Sequence, residues 1–582
     1  FNKGQFFWKW PKAWPYPISI FFGAPIYNPS NVGTVRNAVV DLGATAVATR
    51  SEKMTQLPRE FIRRCKQRKR VKKAADSSGD EVTGGMMLTR TLVLRRLLNR
   101  HVYDADEQFV GLLLPPSLAG VMANMAVALD RKTAVNLNYT VSSEVLNSCI
   151  EQCGIKHVLT SRRFMSKMNF DLDAELIYLE DLKDKPTTGD KLVSALQAFA
   201  MPSRMLEKSL GLDKITSEDV LTVIFTSGST GTPKGVMLTY GNVGSNVEAI
   251  DTVVHLGKQD TLIGILPLFH SFGYTVTMWG AMALDVASVY HFNPLDGKKI
   301  GKLCEQHKGT VLLSTPTFLR TFLRRATKEQ FETLDVVVAG AEKLPTELCD
   351  AFEEKFGVRP VEGYGATETS PLASVNVPPS RSSGDWDVDW KEGTVGRPVP
   401  GVTAKVIDPD SEEERPIGEE GMLLIKGPNI MKGYIGRDDL TEKVVKDGWY
   451  VTGDIAKLDD DGFIQITGRL SRFSKIGGEM VPHIKIEEVI NQVLGANEED
   501  GLLAAVTAVP DPKKGERLIV IHKVIDQSPD EVREALQAEG LPNIFIPSSD
   551  SFHQVDVLPL LGTGKLDLSG IKQTALDQFG DA

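Results

Sequence analysis

Short, largely apolar runs alternate with segments of helical period from about residue 84 to 466. The clearest, Val110–Leu114, Val158–Thr160, Val220–Thr226, Thr261–Leu266, Val311–Ser314 and Leu334–Ala339, predict strands buried on both faces. Such strands need helices over both sides of the sheet, so the expected class is α/β with mixed sheets. Val110–Leu129 is nearly long enough to span a bilayer, but Pro115, Pro116, Ser117 and Asn124 interrupt it, and it reads as strand, turn and helix. Beyond Thr394 the pattern becomes short strands punctuated by Gly and Asp (Thr403–Ile407, Gly421–Lys426, Phe463–Thr467), which predicts an antiparallel β subdomain. A small, mobile α+β module is expected from about Arg469 to the end.

A chain of 582 residues has room for several full-sized cores. With 42% hydrophobic and 24% charged residues it lies near the soluble average, which excludes disordered, collagenous and multi-span membrane classes. The net charge of −10 argues against nucleic acid as a partner and leaves only a local basic patch to attract anionic lipid. Five scattered cysteines without a CxxC pair fit a reducing, cytoplasmic setting and oppose a zinc site. Phe1, in place of Met, is expected to lie inside a longer product.

The first 22 residues crowd together Phe1, Phe6, Phe7, Trp8, Trp10, Trp14, Tyr16, Phe21 and Phe22, ending in the strand-like Ile18–Phe22. Such rings suit either a membrane interface or packing against another domain. Arg63, Arg64, Lys66, Arg68, Lys69, Arg70, Lys72 and Lys73 follow, a run that suits anionic lipid or a solvated helix face. Peripheral contact with the inner face of a membrane is therefore expected through residues 1–75. Ser77-Ser78-Gly79-Asp80 reads as a linker, so the domain plan is 1–75, a linker at 76–83, a large domain at 84–468 and a small one at 469–582.

The chemistry concentrates after the strand Val220–Phe225. Thr226-Ser227-Gly228-Ser229-Thr230-Gly231-Thr232-Pro233-Lys234-Gly235 combines hydroxyls, small residues and one lysine, a composition that lets backbone N–H groups and a cation surround phosphate. Its spacing is not that of a Walker loop, because four residues after Gly228 comes Pro233. In order there follow Pro267-Leu268-Phe269-His270-Ser271-Phe272-Gly273, Gly340-Ala341-Glu342-Lys343-Leu344, Tyr364-Gly365-Ala366-Thr367-Glu368-Thr369, Gly448-Trp449-Tyr450-Val451-Thr452-Gly453-Asp454, Gly468-Arg469 and Gly562-Thr563-Gly564-Lys565. This ordered series resembles the adenylate-forming superfamily of acyl-CoA synthetases, peptide-synthetase adenylation domains and firefly luciferase. The resemblance runs from about residue 84 to the end.

The resemblance implies ATP and Mg²⁺ as cofactors and a carboxylate as substrate. It assigns Thr226, Ser227, Gly228, Ser229, Thr230 and Lys234 to the β- and γ-phosphates, and Thr367 to the α-phosphate. Gly340, Ala341, Glu342, Tyr364 and Gly365 join the nucleotide site, and Glu368 becomes the metal ligand. Asp454 suits a ribose acceptor with Arg469 beside it, and Lys565 a mobile lysine that offsets transition-state charge. His270 takes the place of a gate between nucleotide and acyl channel, followed by Phe272 and Trp279 as acyl-pocket residues. Because Ser271–Leu284 carries no charge, and so no aspartate for an amino-acid ammonium, a fatty acid is the expected substrate.

Arg472-Phe473-Ser474-Lys475-Ile476-Gly477-Gly478-Glu479 replaces the usual hinge sequence, with Arg472 at the hinge position. With Met480 and Val481, this run is most similar to the ligase half of the bifunctional acyl-acyl-carrier-protein synthetase and 2-acylglycerophosphoethanolamine acyltransferases. That likeness implies acyl carrier protein or CoA as the thiol partner and a link to phospholipid acylation, and residues 1–75, with Ile18-Ser19-Ile20-Phe21-Phe22-Gly23-Ala24-Pro25-Ile26, resemble the tail of the acyltransferase domain that precedes such a ligase. His101 and Asp106 match the acyltransferase spacing, yet their position at the start of the ligase core marks the match as coincidental.

Overall fold

The computed structural model describes residues 20–29, 31–51, 56–226, 232–382, 389–476, 479–495, 502–511, 513–560 and 566–580. Two large sheets form the body. In the nine-stranded sheet the order is Arg397–Pro398, Leu372–Val375, Val361–Gly365, Val336–Ala339, Val311–Ser314, Thr261–Gly264, Ala287–Tyr290, Lys72–Asp76, Glu81–Thr83, parallel except at the edges. The second, seven-stranded sheet runs Gly433–Tyr434, Lys234–Thr239, Val220–Thr226, Thr133–Asn136, Phe109–Leu112, His157–Thr160, Glu175–Tyr178. Central strands such as Val311–Ser314 and Val336–Ala339 are buried at every position, as their unbroken apolar runs require. Val110–Leu129 resolves into the strand Phe109–Leu112 and the helix Leu118–Leu129, which Ser117 caps by accepting from the Gly120 N–H.

The expected β subdomain is an antiparallel sheet in which Gly421–Lys426 lies between Thr403–Ile407 and Trp449–Leu458, with Ile464–Arg469 on the far side of the last. A 3-10 turn, Leu470–Arg472, leads into the small domain, whose sheet (Phe473–Ile476, Glu479–Pro482, Ala504–Asp511, Gly515–His522, Phe552–Gln554) packs with helices His483–Val493, Pro529–Ala538 and Leu568–Phe579.

Four expectations need correction. The segment 76–83 is no linker: Lys72–Asp76 and Glu81–Thr83 pair antiparallel, and Ser77–Asp80 is the turn of that hairpin. The boundary near residue 75 moves accordingly, since Lys72–Asp76 pairs in parallel with Ala287–Tyr290 inside the nine-stranded sheet, and Leu57–Gln67 shares the core beneath it. Residues 20–22 belong to no strand, and Ile18 and Ser19 lie outside the described residues.

The basic run is mostly neither lipid-facing nor solvated. Lys73 is fully buried and donates to the carbonyls of Ala281, Leu284 and Val286 at 2.7, 2.8 and 3.1 Å. Arg68 binds Asp285, Arg64 the Ala283 carbonyl, and Lys66 the carbonyls of Gln197, Ala198 and Met201. Helix ends expose unpaired carbonyls, and buried cations answer them here. Burial lowers the Lys73 ammonium to about 7.

Candidate active site

Tyr364 sits on the strand Val361–Gly365, and the chain then reverses through the 3-10 turn Thr367–Thr369 into Leu372–Val375. Glycine is obligatory at 365, because a Cβ there would lie 1.8 Å from the Pro371 carbonyl oxygen. The reversal delivers Thr367 and Glu368 just beyond the strand end. Asp454 lies on Trp449–Leu458 directly opposite Arg469 in the antiparallel register.

These two pieces of chain meet. The Tyr364 hydroxyl donates to Asp454 Oδ2 at 2.5 Å and Arg469 Nε donates to Oδ1 at 2.7 Å. The Asp454 residue is only 4% exposed, so its charge is compensated on both oxygens while each keeps a further lone pair. The Asp454 charge holds the Arg469 guanidinium above its ordinary range, and burial, reinforced by that same carboxylate, raises the Tyr364 phenol well above 10. Tyrosine therefore stays a neutral donor. A rigid carboxylate with spare acceptor capacity suits a pair of vicinal hydroxyls.

A second convergence surrounds Glu368. Its Oε1 accepts from the Tyr434 hydroxyl at 2.7 Å, and its backbone carbonyl accepts from the Met431 N–H at 2.8 Å. Lys234, at the foot of the phosphate-type loop, places Nζ 5.6 Å from the centre of the same tyrosine ring, because Gly433–Tyr434 pairs with Lys234–Thr239. A carboxylate and a lysine flanking one phenol fit a magnesium ion shared with phosphate oxygens. Among the described residues no group of three His, Cys, Asp or Glu forms a metal cage, so such an ion would depend on its nucleotide.

Thr367 Oγ1 lies 3.4 Å from the Ser271 hydroxyl, which ties the turn Thr367–Thr369 to the segment carrying His270. His270 is exposed, its ring 4.4 Å from that of Phe269. Phe272 covers Gly340, whose Cβ, if present, would stand 3.5 Å from the ring, and Ala341 adopts a φ of +70°. Glu342 is held by the Thr317 hydroxyl at 2.8 Å. Trp279 is fully buried with Tyr274 and Met278 in a π-helix, Phe272–Gly280, rather than in a regular α-helix.

Arg472 is buried and pairs with Glu487 of the small domain, so its side chain belongs to that domain. Asp106 pairs with Lys156 at 3.1 Å. Ser227, Gly228, Ser229, Thr230 and Lys565 lie outside the described residues.

Two residues escaped the sequence reading. Tyr434 occupies a two-residue strand, too short for any periodicity, and Glu362 precedes Tyr364 by two positions and so shares its face of the strand. Burial raises the Glu362 carboxyl to about 7.

The model of the family described as AMP-binding enzyme matches residues 61–435. The chain is 33% identical over 318 residues to a long-chain-fatty-acid–CoA ligase of Salmonella typhimurium, covering 53% of this chain and 54% of that protein. With the ligase of the same name from Bacillus subtilis it shares 30% over 366 residues, 61% of this chain and 62% of the relative. The match thus spans little more than half the length of these relatives. In fold it is similar to o-succinylbenzoate CoA synthetase from B. subtilis in complex with its acyl-adenylate, with a TM-score of 0.73 over 89% of this chain and 99% of that one, at 22% identity. The same synthetase with ATP and magnesium gives a TM-score of 0.71 over 88% and 99% at 22% identity. A family match across well over half its length, on a stretch that contains Lys234, Glu368 and Tyr434, makes this chain a member of the AMP-binding enzymes.

Proposed function

We propose that the chain joins a fatty acid to AMP and then passes the acyl group to a phosphopantetheine thiol of CoA or acyl carrier protein. In the first step a carboxylate oxygen bonds to the α-phosphorus of ATP and the bond to pyrophosphate breaks. In the second, the thiol sulfur attacks the acyl carbon and AMP leaves with the former carboxylate oxygen. The observation that carries the reading is the Asp454 carboxylate, held by Tyr364 and Arg469 with acceptor capacity to spare for the two ribose hydroxyls.

Mg²⁺, when bound, neutralises phosphate charge, and Glu368 with Tyr434 would hold it. Thr367 and the loop from Thr226 to Lys234 orient the phosphates, and Lys565 supplies a cation at the reacting phosphorus. The uncharged segment after His270 supports an alkyl substrate, each buried CH₂ contributing about 0.8 kcal/mol. The names of the relatives point the same way. The link to phospholipid acylation rests on the resemblance of residues 472–481 to such a ligase half and of residues 1–75 to an acyltransferase tail.

ATP–pyrophosphate exchange with saturated acids of graded length, followed by mass spectrometry of products from both thiol acceptors, tests the proposal. Exchange should climb with alkyl length to a maximum, and Trp279→Ala should move that maximum if the ring limits the channel. Exchange strongest with amino acids, or independent of chain length, would overturn it.

A further inference from the structure

The helix Thr188–Phe199 is inside out. Its buried positions are Asp190, Ser194, Gln197 and Ala198, whereas Leu192, Val193, Leu196 and Phe199 are 66, 43, 59 and 43% exposed. An ordinary amphipathic helix buries the apolar stripe. Polar contacts hold this one to the neighbouring helix Gly84–His101: Arg100 binds both Asp190 oxygens at 2.8 and 3.0 Å, and Arg96 reaches the Gln197 amide oxygen at 3.1 Å. Met205, from the next helix Ser203–Ser209, adds a fifth large apolar side chain at 60% exposure.

Charge on the same stretch is sorted as strictly. Between residues 188 and 209 the only acids are Asp190 and Glu207, 4 and 1% exposed. The first is paired with Arg100 and the second with Arg59 and Arg63. Lys191, Arg204 and Lys208 are exposed, so every outward charge here is positive. Lys69 and Arg70 stand exposed beside the ridge: the Phe199 ring lies over Gly85, whose N–H donates to the Lys69 carbonyl. In a chain of net charge −10 this is a local exception.

We propose that this ridge docks the protein on an anionic lipid bilayer, its five apolar side chains entering the headgroup–acyl boundary and the cations meeting lipid phosphates. Apolar side chains rimmed by lysine and arginine, with no buried counter-charge left facing outward, are the complement of such an interface. The ridge helix has 12 residues, too few to cross a bilayer, so the contact proposed for it lies in the plane of the surface. The surface differs from the 1–75 segment singled out in the sequence, of which it includes only Lys69 and Arg70.

All five native cysteines are buried, so Leu192→Cys introduces a single accessible thiol for a nitrobenzoxadiazole label on the full chain. Vesicles of phosphatidylglycerol and phosphatidylcholine should blue-shift the label and raise its intensity several-fold, and phosphatidylcholine alone should do much less. In co-sedimentation, Lys191→Glu, Arg204→Glu and Lys208→Glu should each weaken partitioning by about fivefold or more. Leu196→Asp should weaken it by ~10-fold, with melting temperature and ATP–pyrophosphate exchange unchanged in all four. Vesicle binding without a label shift would mean another surface docks. A shift with an acidic carrier protein but not with vesicles, or one that follows protein concentration alone, would mean a protein partner. Each of these results, or no vesicle binding at all, overturns the proposal.

Discussion

Asp454 shows how much a single position asks of its surroundings. A charged hydrogen bond is worth about 1.5–3 kcal/mol, so Tyr364→Phe, which deletes the 2.5 Å bond, should raise the apparent KM for ATP about tenfold with less effect on kcat. Asp454→Asn should cost more, because Arg469 loses its counter-charge as well. Steady-state kinetics at varied ATP checks both. Glu362 yields a pH signature: its carboxyl is raised to about 7, so the folded chain keeps a proton that the unfolded chain releases near 4.5. Its share of stability is complete below that lower value and is lost as pH rises through about 7. Denaturant unfolding without nucleotide should find Glu362→Gln stabilised relative to the parent by on the order of 2 kcal/mol at pH 8 and little changed at pH 4.

At the scale of elements, buried charge does structural work that composition conceals. Arg64, Arg68 and Lys73 all grip residues 281–286, where the uncharged segment that follows His270 ends, and so the basic run anchors the end of that segment. Within the small domain, Glu487 takes Arg472 on one oxygen and the Val506 N–H on the other. Glu487→Ala leaves a buried guanidinium without its partner and should cost about 3–5 kcal/mol. Hydrogen exchange should show that loss in peptides from residues 479–522 and spare the nine-stranded sheet; equal loosening of both domains would contradict it.

Across the whole molecule, the two domains touch through exposed ion pairs. Lys343 meets Glu488 at 3.3 Å and Lys475 meets Asp410 at 2.7 Å, each with side chains more than half exposed. Such pairs are worth about 0–1 kcal/mol, a weak restraint of the kind a rotating small domain needs. If that domain brings Lys565 to the reacting phosphorus, Lys565→Ala should slow adenylate formation by ~10²-fold or more and leave thiol transfer from pre-made acyl-adenylate intact. Rapid-quench measurement of the two half-reactions decides it, and equal loss in both would remove the lysine from that role.

The strands Val220–Thr226, Val311–Ser314, Thr403–Ile407 and Gly421–Lys426 were readable to the residue, because burial on one or both faces writes itself into neighbouring positions. The ordered motifs were equally readable, since each is a local run whose chemistry needs no distant partner to be recognised. Partners were not. The Tyr364–Asp454 bond joins positions 90 apart, and Tyr434 reaches Glu368 across 66. The same limit turned the basic run into a lipid-binding or solvated face and the Ser77–Asp80 hairpin turn into a linker. A lysine reads alike whether its ammonium meets water or the three carbonyls around Lys73. Thr188–Phe199 is the sharpest case: its apolar and polar stripes are plain in the sequence, but only the arginines waiting on Gly84–His101 turn the polar stripe inward. Local pattern records which residues share a face. Long-range packing, through charge and hydrogen-bond pairing between distant segments, decides which way that face points.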